Sequence, residues 1–178
     1  MPAPVKRHEV SQPLDQSYRL IPLTRGQTAI VDVEDYDRLS GHYWNAHWNP
    51  LSKSFYAVRN VRLPTAERRY TASYMHNEVM QVPRGIDHKR CEDTLDNRKS
   101  NLRHANASQQ GANQAIRADN KSGYKGVFLK DNGRYRAKVF KDRKQYDAGT
   151  HSTAEEAARA YDALARELHG EFAWLNFR

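Results

Sequence analysis

An aspartate beside a histidine, Asp87-His88, is followed by Asp96-Asn97-Arg98-Lys99-Ser100-Asn101-Leu102-Arg103. These residue types are the inventory for cutting a phosphodiester. A carboxylate oxygen can hold a hard divalent cation. An imidazole, with an unperturbed pKa of about 6.5, can take a proton from water near neutral pH. Carboxamides downstream can give a second metal oxygen or brace the loop that presents the histidine. Asp-His alone is a common dipeptide. Asn-Leu-Arg at 13 to 15 positions after the histidine narrows the reading.

The flanking pattern supplies elements to hold these groups. Residues 72–80 read as a strand running into a short helix that carries His76, and Pro83-Arg84-Gly85 turns the chain. Residues 86–88 and 102–105 read as two strands, and residues 107–117 as a helix. Upstream, residues 18–23 and 28–33 read as strands around Arg25-Gly26, with one or two helical turns over 35–39. Residues 43–48 and 55–61 read as paired strands around Asn49-Pro50. Tyr43, Trp44, Trp48, Phe55 and Tyr56 cluster there, either as a small sheet core or as a platform for nucleobases. Residues 1–17 show little periodicity and read as a loose tail.

The last third is patterned more cleanly. Residues 124–130 predict a strand, and Asn132-Gly133 predicts a two-residue type I′ turn. Residues 134–140 return with strict alternation, with Arg134, Arg136 and Lys138 on one face and Tyr135, Ala137 and Val139 on the other. A third strand is expected over 144–148. Ser152-Thr153 opens a helix with Glu155 and Glu156 at capping-box distance. Its apolar stripe runs through Ala157, Tyr161, Leu164, Ala165 and Leu168, and Gly170 stops it. Residues 120–149 hold nine Lys/Arg against three Asp/Glu, whereas 153–178 hold three against five. A basic sheet backed by an amphipathic helix suits major-groove docking.

The chain has 178 residues, 38% of them hydrophobic, and a net charge of +8. That length accommodates one domain or two small ones, and the charge favours a polyanionic partner. No stretch approaches the ~20 apolar residues of a membrane helix, and the first 17 residues contain no apolar signal region. The single cysteine, Cys91, excludes an internal disulfide and a thiolate zinc site. These features point to a nucleic-acid partner in a reducing cytoplasm.

The stretch from Tyr74-Met75-His76 through Asp87-His88 and Asp96-Asn97-Arg98 to Asn101-Leu102-Arg103 resembles the HNH (His-Me finger) endonuclease family. The resemblance implies two strands and a helix around one metal, a ββα-metal core. It implies His88 as general base, Asp87 as metal ligand and Asn101 as the residue pinning the loop. His76 stands at the first histidine of the pattern, and a purely structural role for it stays open. Gln110 falls where many relatives place a metal-binding Asn, with Asn106 and Asn113 as alternatives. The implied cofactor is Mg²⁺, or Mn²⁺ in its place. Arg98, Lys99 and Arg103 are candidates to grip DNA phosphates, or ordinary solvated charges. Residues 18–70 resemble the module that often precedes phage-type HNH domains.

The C-terminal third resembles the plant ethylene-response-factor (Apetala-two type) DNA-binding domain. The matching residues are Ser122-Gly123-Tyr124-Lys125-Gly126-Val127, Arg134-Tyr135-Arg136-Ala137, Gly149-Thr150, residues 153–162 and Leu175-Asn176-Phe177. This resemblance implies a three-stranded sheet in the major groove, with DNA contacts at Lys125, Arg134, Arg136 and Lys138. Plant domains carry Arg and Trp on the third strand where this chain has Gln145 and Asp147, so their site preference is not transferred. Double-stranded DNA as the partner, in a bacterial or phage-infected cell, is what the family resemblances imply.

The expected fold class is therefore α+β. It comprises a tail over 1–17, a small β-rich module over 18–70, the ββα-metal nuclease over 71–118 and a linker over 119–123. A three-stranded antiparallel sheet packed on one helix follows over 124–178. The expected function is a homing-type, metal-dependent DNA endonuclease, with the oligomeric state left open and a monomer favoured over a dimer. The rival is a non-catalytic, sequence-specific DNA-binding protein with a degenerate nuclease fold, a reading supported by Gln110 in place of Asn.

Overall fold

Apolar residues alternating on both sides of Arg25-Gly26 fold into a hairpin. The computed structural model describes residues 7–63, 69–117 and 119–177. β1 (Tyr18–Pro22) pairs antiparallel with β2 (Thr28–Asp32). Arg25 and Gly26 both take positive φ, 56° and 66°, to reverse the chain. α1 (Val33–Ser40) is longer than the turn or two its pattern suggests. Glu34 and Asp35 in its first turn and Arg38 in its last match the helix dipole at both ends.

β3 (Asn45–Asn49), β4 (Ser54–Arg62) and β5 (Tyr70–Tyr74) form an antiparallel sheet in the order β3-β4-β5. β5 runs directly into α2 (Met75–Val79). β6 (Ile86–His88) and β7 (Leu102–His104) form a two-stranded ribbon, with Asp87 opposite Arg103 and His88 opposite Leu102.

The chain divides into two compact units, the first ending at His104 and the second beginning at Ala105. In the first unit, residues expected in a separate N-terminal module share one core with the strands of the nuclease pattern. Leu23, Val31, Leu39 and Trp44 come from the former, and Met75, Val79, Ile86 and Leu102 from the latter. Trp44 is fully buried and donates its indole N–H to Leu39 O at 2.9 Å. For this residue the sheet-core reading holds, and a nucleobase platform does not. Tyr43 is 78% exposed and stacks under the Arg7 guanidinium instead. From Arg7 onward the N-terminal segment carries no strand or helix before Tyr18, as its weak periodicity implies. It is nonetheless fastened: Arg7 donates twice to Trp44 O, and the Gln12 carboxamide bonds both main-chain groups of Leu20.

The second unit begins with α3 (Ala107–Asn113), capped by a reciprocal Asn106–Gln109 box. α3 stops four residues short of Arg117. The Ala112 carbonyl accepts from Trp174 N–H and the Lys125 ammonium, which also reaches Gln114 O. Carbonyls satisfied from outside need no further helical turn. β8 (Val127–Leu129), β9 (Tyr135–Lys141) and β10 (Lys144–His151) then make an antiparallel sheet in the order β10-β9-β8.

The β8–β9 connection differs from the expected type I′ turn. Gly133 has φ 76°, but Asn132 is not in the left-handed region. Lys130 N–H bonds Arg134 O and Gly133 N–H bonds Lys130 O, which closes a three-residue loop with the glycine as its left-handed residue. The reversal with positive φ at both central positions is the next one, Asp142 (50°) and Arg143 (64°) between the paired Lys141 and Lys144. β10 extends past Ala148 through a register shift between Asp147 and Thr150.

α4 (Ala154–His169) opens on the expected capping box, Thr153 with Glu156. Ala157, Ala158, Tyr161 and Ala165 pack on Val127, Ala137 and Val139. Gly126 sits where the chain passes Tyr161. A Cβ there would lie 2.1 Å from the Tyr161 ring and 2.8 Å from Lys138 O, and φ is +73°. The buried Asp162 carboxylate accepts from the main-chain N–H groups of Asn176 and Phe177 and from the Asn176 carboxamide. This fixes the Leu175-Asn176-Phe177 segment. Among the described residues no helix is long and apolar enough to cross a membrane. Four helices with several small sheets make the class α+β, as expected.

Candidate active site

Strand alternation on β6 decides which side of the ribbon each group faces. Ile86 and His88 turn to the core of the first unit, and both are buried. Asp87, between them, meets Arg103 on the other side, with its Oδ2 3.3 Å from Arg103 Nε and Nη2. The carboxylate and imidazole are thus neighbours in the chain but have different partners.

His88 lies in an aromatic cage. Its ring is 5.0 Å from His76 and 6.0 Å from Tyr56, both edge-on, and Tyr74 lies 5.3 Å from His76. Burial dominates the protonation of both histidines. It pulls His88 down to about 4, against the opposing pull of the Asn97 hydrogen bond and the Asp96 charge. It pulls His76 down to about 3, with repulsion from His88 adding to the effect. Both rings are uncharged at neutral pH.

The loop between β6 and β7 is held from within. Asn101 is buried, and its Nδ2 donates to Asp96 O at 2.9 Å and Asp93 O at 3.3 Å. Its Oδ1 accepts Arg90 N–H at 3.1 Å. These three bonds tie the Asn101 carboxamide across the loop. Asp96 clamps Arg98 through both carboxylate oxygens, at 2.9 and 2.7 Å, and also takes Arg90 at 2.9 Å. Burial pushes the Asp96 carboxyl up, but the Arg98 bonds and the two guanidinium charges hold it below its ordinary value. Asn97 is 1% exposed and places Oδ1 3.3 Å from His88 Nε2. The sequence pattern assigns no role to it, nor to Tyr56 and Tyr74. The available signal was Asn97's place inside the motif, but its partner lies nine positions back.

The candidate phosphate-gripping residues of this unit have internal partners. Arg98 is on Asp96 and over the Tyr18 ring. Lys99 pairs with Glu34 and Asp35, and Arg103 pairs with Asp87. On α3, Gln110 is half-buried and Asn113 buried, whereas Asn106 already gives its oxygen to the helix cap. Lys125 points into its own unit, at Ala112 and Gln114. Arg136 and Lys138 share the outer face of β9, and Arg134 immediately precedes the strand. Arg134 reaches Thr150 O at 3.2 Å, Arg136 is ion-paired to Asp147, and Lys138 lies over the exposed Phe128 ring.

No family model matches the chain. A 71-residue segment, 40% of the chain, is 35% identical to an AP2/ERF and B3 domain-containing transcription repressor of Arabidopsis thaliana and covers a fifth of that protein. Over 156 residues, 88% of this chain and 78% of the relative, it is 36% identical to an uncharacterized HNH endonuclease of Acanthamoeba polyphaga mimivirus. With that identity spread over most of both sequences, and an Asp-His pair on a β-ribbon whose loop is pinned by asparagine, the chain belongs to the HNH endonuclease family.

Proposed function

We propose that this protein is a metal-dependent, homing-type DNA endonuclease in which residues 71–118 cut and residues 124–178 bind the target. The carrying observation is His88, an imidazole caged by His76 and Tyr56 and kept uncharged on a strand whose preceding residue, Asp87, turns its carboxylate to the other face. A neutral ring is the form that accepts a proton. His88 takes the proton of the attacking water, and Asn101 keeps the loop behind it in shape. His76 packs edge-on against the His88 ring and helps to fix its orientation. The products carry 5′ phosphate and 3′ hydroxyl.

The donor types bear on which metal would bind. Among the described residues, no group of three or more His, Cys, Asp or Glu gathers to hold an ion. Asp87, which pairs with Arg103, is the carboxylate proposed for a Mg²⁺-like ion, which takes one or two carboxylates and completes its shell with water and phosphate oxygens. A resident zinc would need a fuller protein ligand set. Gln110 is the proposed carboxamide ligand, with Asn106 and Asn113 as substitutes. When bound, such an ion stabilises charge on the scissile phosphate and the leaving 3′ oxygen.

On the binding side, the outer β9 face presents Arg136 and Lys138, with Arg134 just before the strand, to duplex DNA. The groove admits a sheet or ribbon, and phosphate neutralisation makes such binding fall steeply with salt.

Plasmid incubated with the purified protein in Mg²⁺ should be cut, and EDTA should stop it. His88→Ala should lose cleavage and keep its DNA affinity. Cleavage by that variant at the native rate would remove His88 as the base. Tight DNA binding by the native protein with no cleavage in Mg²⁺ or Mn²⁺ would favour the non-catalytic reading.

A further inference from the structure

The orientation of the Asn97 carboxamide is fixed by two groups. Its Nδ2 donates to Leu95 O at 3.1 Å. The reversed amide would set oxygen against oxygen there, so Oδ1 is the atom 3.3 Å from His88 Nε2. A carboxamide oxygen only accepts. Nε2 therefore carries a hydrogen whatever the charge of the ring, and Nδ1 is the nitrogen that can take or release a proton.

Asn97 is in turn set by the N-terminal hairpin. Its main-chain N–H donates to Ile30 O at 2.8 Å, and Ile30 N–H donates to Leu95 O at 2.9 Å. Ile30 and Asp96 thereby form a parallel bridge between β2 and the loop. Two further bonds hold the same loop from upstream residues. Lys99 N–H reaches Asp32 Oδ2 at 2.7 Å, and the Thr94 hydroxyl reaches Phe55 O at 2.5 Å. Leu95 O thus receives both the β2 amide and the Asn97 side chain.

We propose that Asn97 is a positioning residue for the nuclease reaction: clamped to β2 through Ile30, it locks His88 with hydrogen on Nε2 and Nδ1 as the working base. Residues 18–70 then act as the scaffold of the active-site loop. This inference rests on the reading of His88 as the base, and its first test does not need cleavage.

In full-length protein labelled with ¹⁵N-histidine, long-range ¹H–¹⁵N correlation reads which ring nitrogen carries hydrogen. The His88 signals are identified as those missing from His88→Ala. The native ring should show Nε2–H. Asn97→Ala should shift His88 toward a tautomer mixture. Asn97→Asp, which keeps an acceptor oxygen, should restore Nε2–H. With supercoiled plasmid and Mg²⁺, Asn97→Ala should lower kcat roughly 10–100-fold, by analogy with loss of the hydrogen-bond partner that orients a metal-ligating histidine, with KM unchanged and partial recovery in Asn97→Asp. An unchanged His88 tautomer in Asn97→Ala overturns the proposal, as does an unchanged kcat. If instead Asn97→Ala shifts the tautomer while His88→Ala still cuts normally, Asn97 positions the ring as inferred, and the assignment of the base is what fails.

Discussion

The two units treat their polar groups in opposite ways. In the first, the groups tied to chemistry are buried and multiply bonded: His88, Asn97 and Asn101 are each below 5% exposed. Even its Arg98, Lys99 and Arg103 are committed to nearby carboxylates. In the second, the basic side chains of the sheet face solvent, with Arg134 and Lys144 fully in the exposed class. A proton-transfer group needs a fixed, dry setting, which burial supplies at the expense of reach. A polyanion-binding surface needs accessible charge, and there a loose arrangement suffices. Mutations should therefore separate rate, at His88, Asn97 and Asn101, from affinity, at Arg134, Arg136 and Lys138.

The sharpest break in that contrast is His88→Ala. We expect a fall in cleavage of ~10²–10⁴-fold, as for loss of a general base, with DNA affinity in a mobility-shift titration near native. An equal loss of both would erase the separation.

Next is Gly126→Ala, which drives a methyl group into Tyr161 and Lys138 O at a left-handed φ. Overpacking and backbone strain together should destabilise the second unit by about 2–4 kcal/mol. A denaturant titration followed through probes placed in each unit should show the second unit's transition moving to lower denaturant. A coincident shift of both would mean that the units unfold as one.

Third, replacing Arg134, Arg136 and Lys138 together by Ala should weaken DNA binding and flatten its salt slope by about 1 for each phosphate no longer neutralised. Single-turnover cleavage at saturating protein should stay near native. An unaltered salt slope would move the binding face elsewhere.

Acid should destabilise the first unit through its two buried histidines. His88 and His76 are held at about 4 and about 3, below their ordinary 6.5. Between those values and 6.5 the unfolded chain binds protons that the folded one does not, so stability falls as pH drops through that window. The loss levels off below the folded values. His88→Ala should blunt this slope, and an identical slope in that variant would refute the burial argument. The smallest effect is expected for Asp147→Asn. Losing an exposed ion pair to Arg136 should alter stability by less than about 1 kcal/mol, and base discrimination measured on mismatched sites should change more than affinity does.

Much of this was legible in the sequence because it is local. The β9 alternation, the Thr153–Glu156 cap and the α4 stripe depend on neighbours a few positions away, and each formed as patterned. Asp87 and His88 fell on a strand, with Asn101 pinning the loop behind them. What escaped depends on distant partners. Arg98, Lys99 and Lys125 look like free cations until Asp96, Glu34 and Ala112 are brought to them. Asn97 gains its role only once β2, far upstream in the chain, supplies Ile30. The turn chemistry misled in a different way. Asn132-Gly133 carries the composition of a two-residue turn, yet pairing of Lys130 with Arg134 sets a wider loop, and Asp142-Arg143 adopts the tighter one without glycine.

One fastening has a practical reach. Asp162 is 3% exposed, and its carboxylate is satisfied by donors that Asn176 and Phe177 deliver. Trimming the last three or four residues would strand an anion inside the helix–sheet seam, where an uncompensated charge costs several kcal/mol. Shortened versions of this protein should thus lose whatever DNA affinity the second unit supplies through collapse of its fold, with Arg134, Arg136 and Lys138 still present.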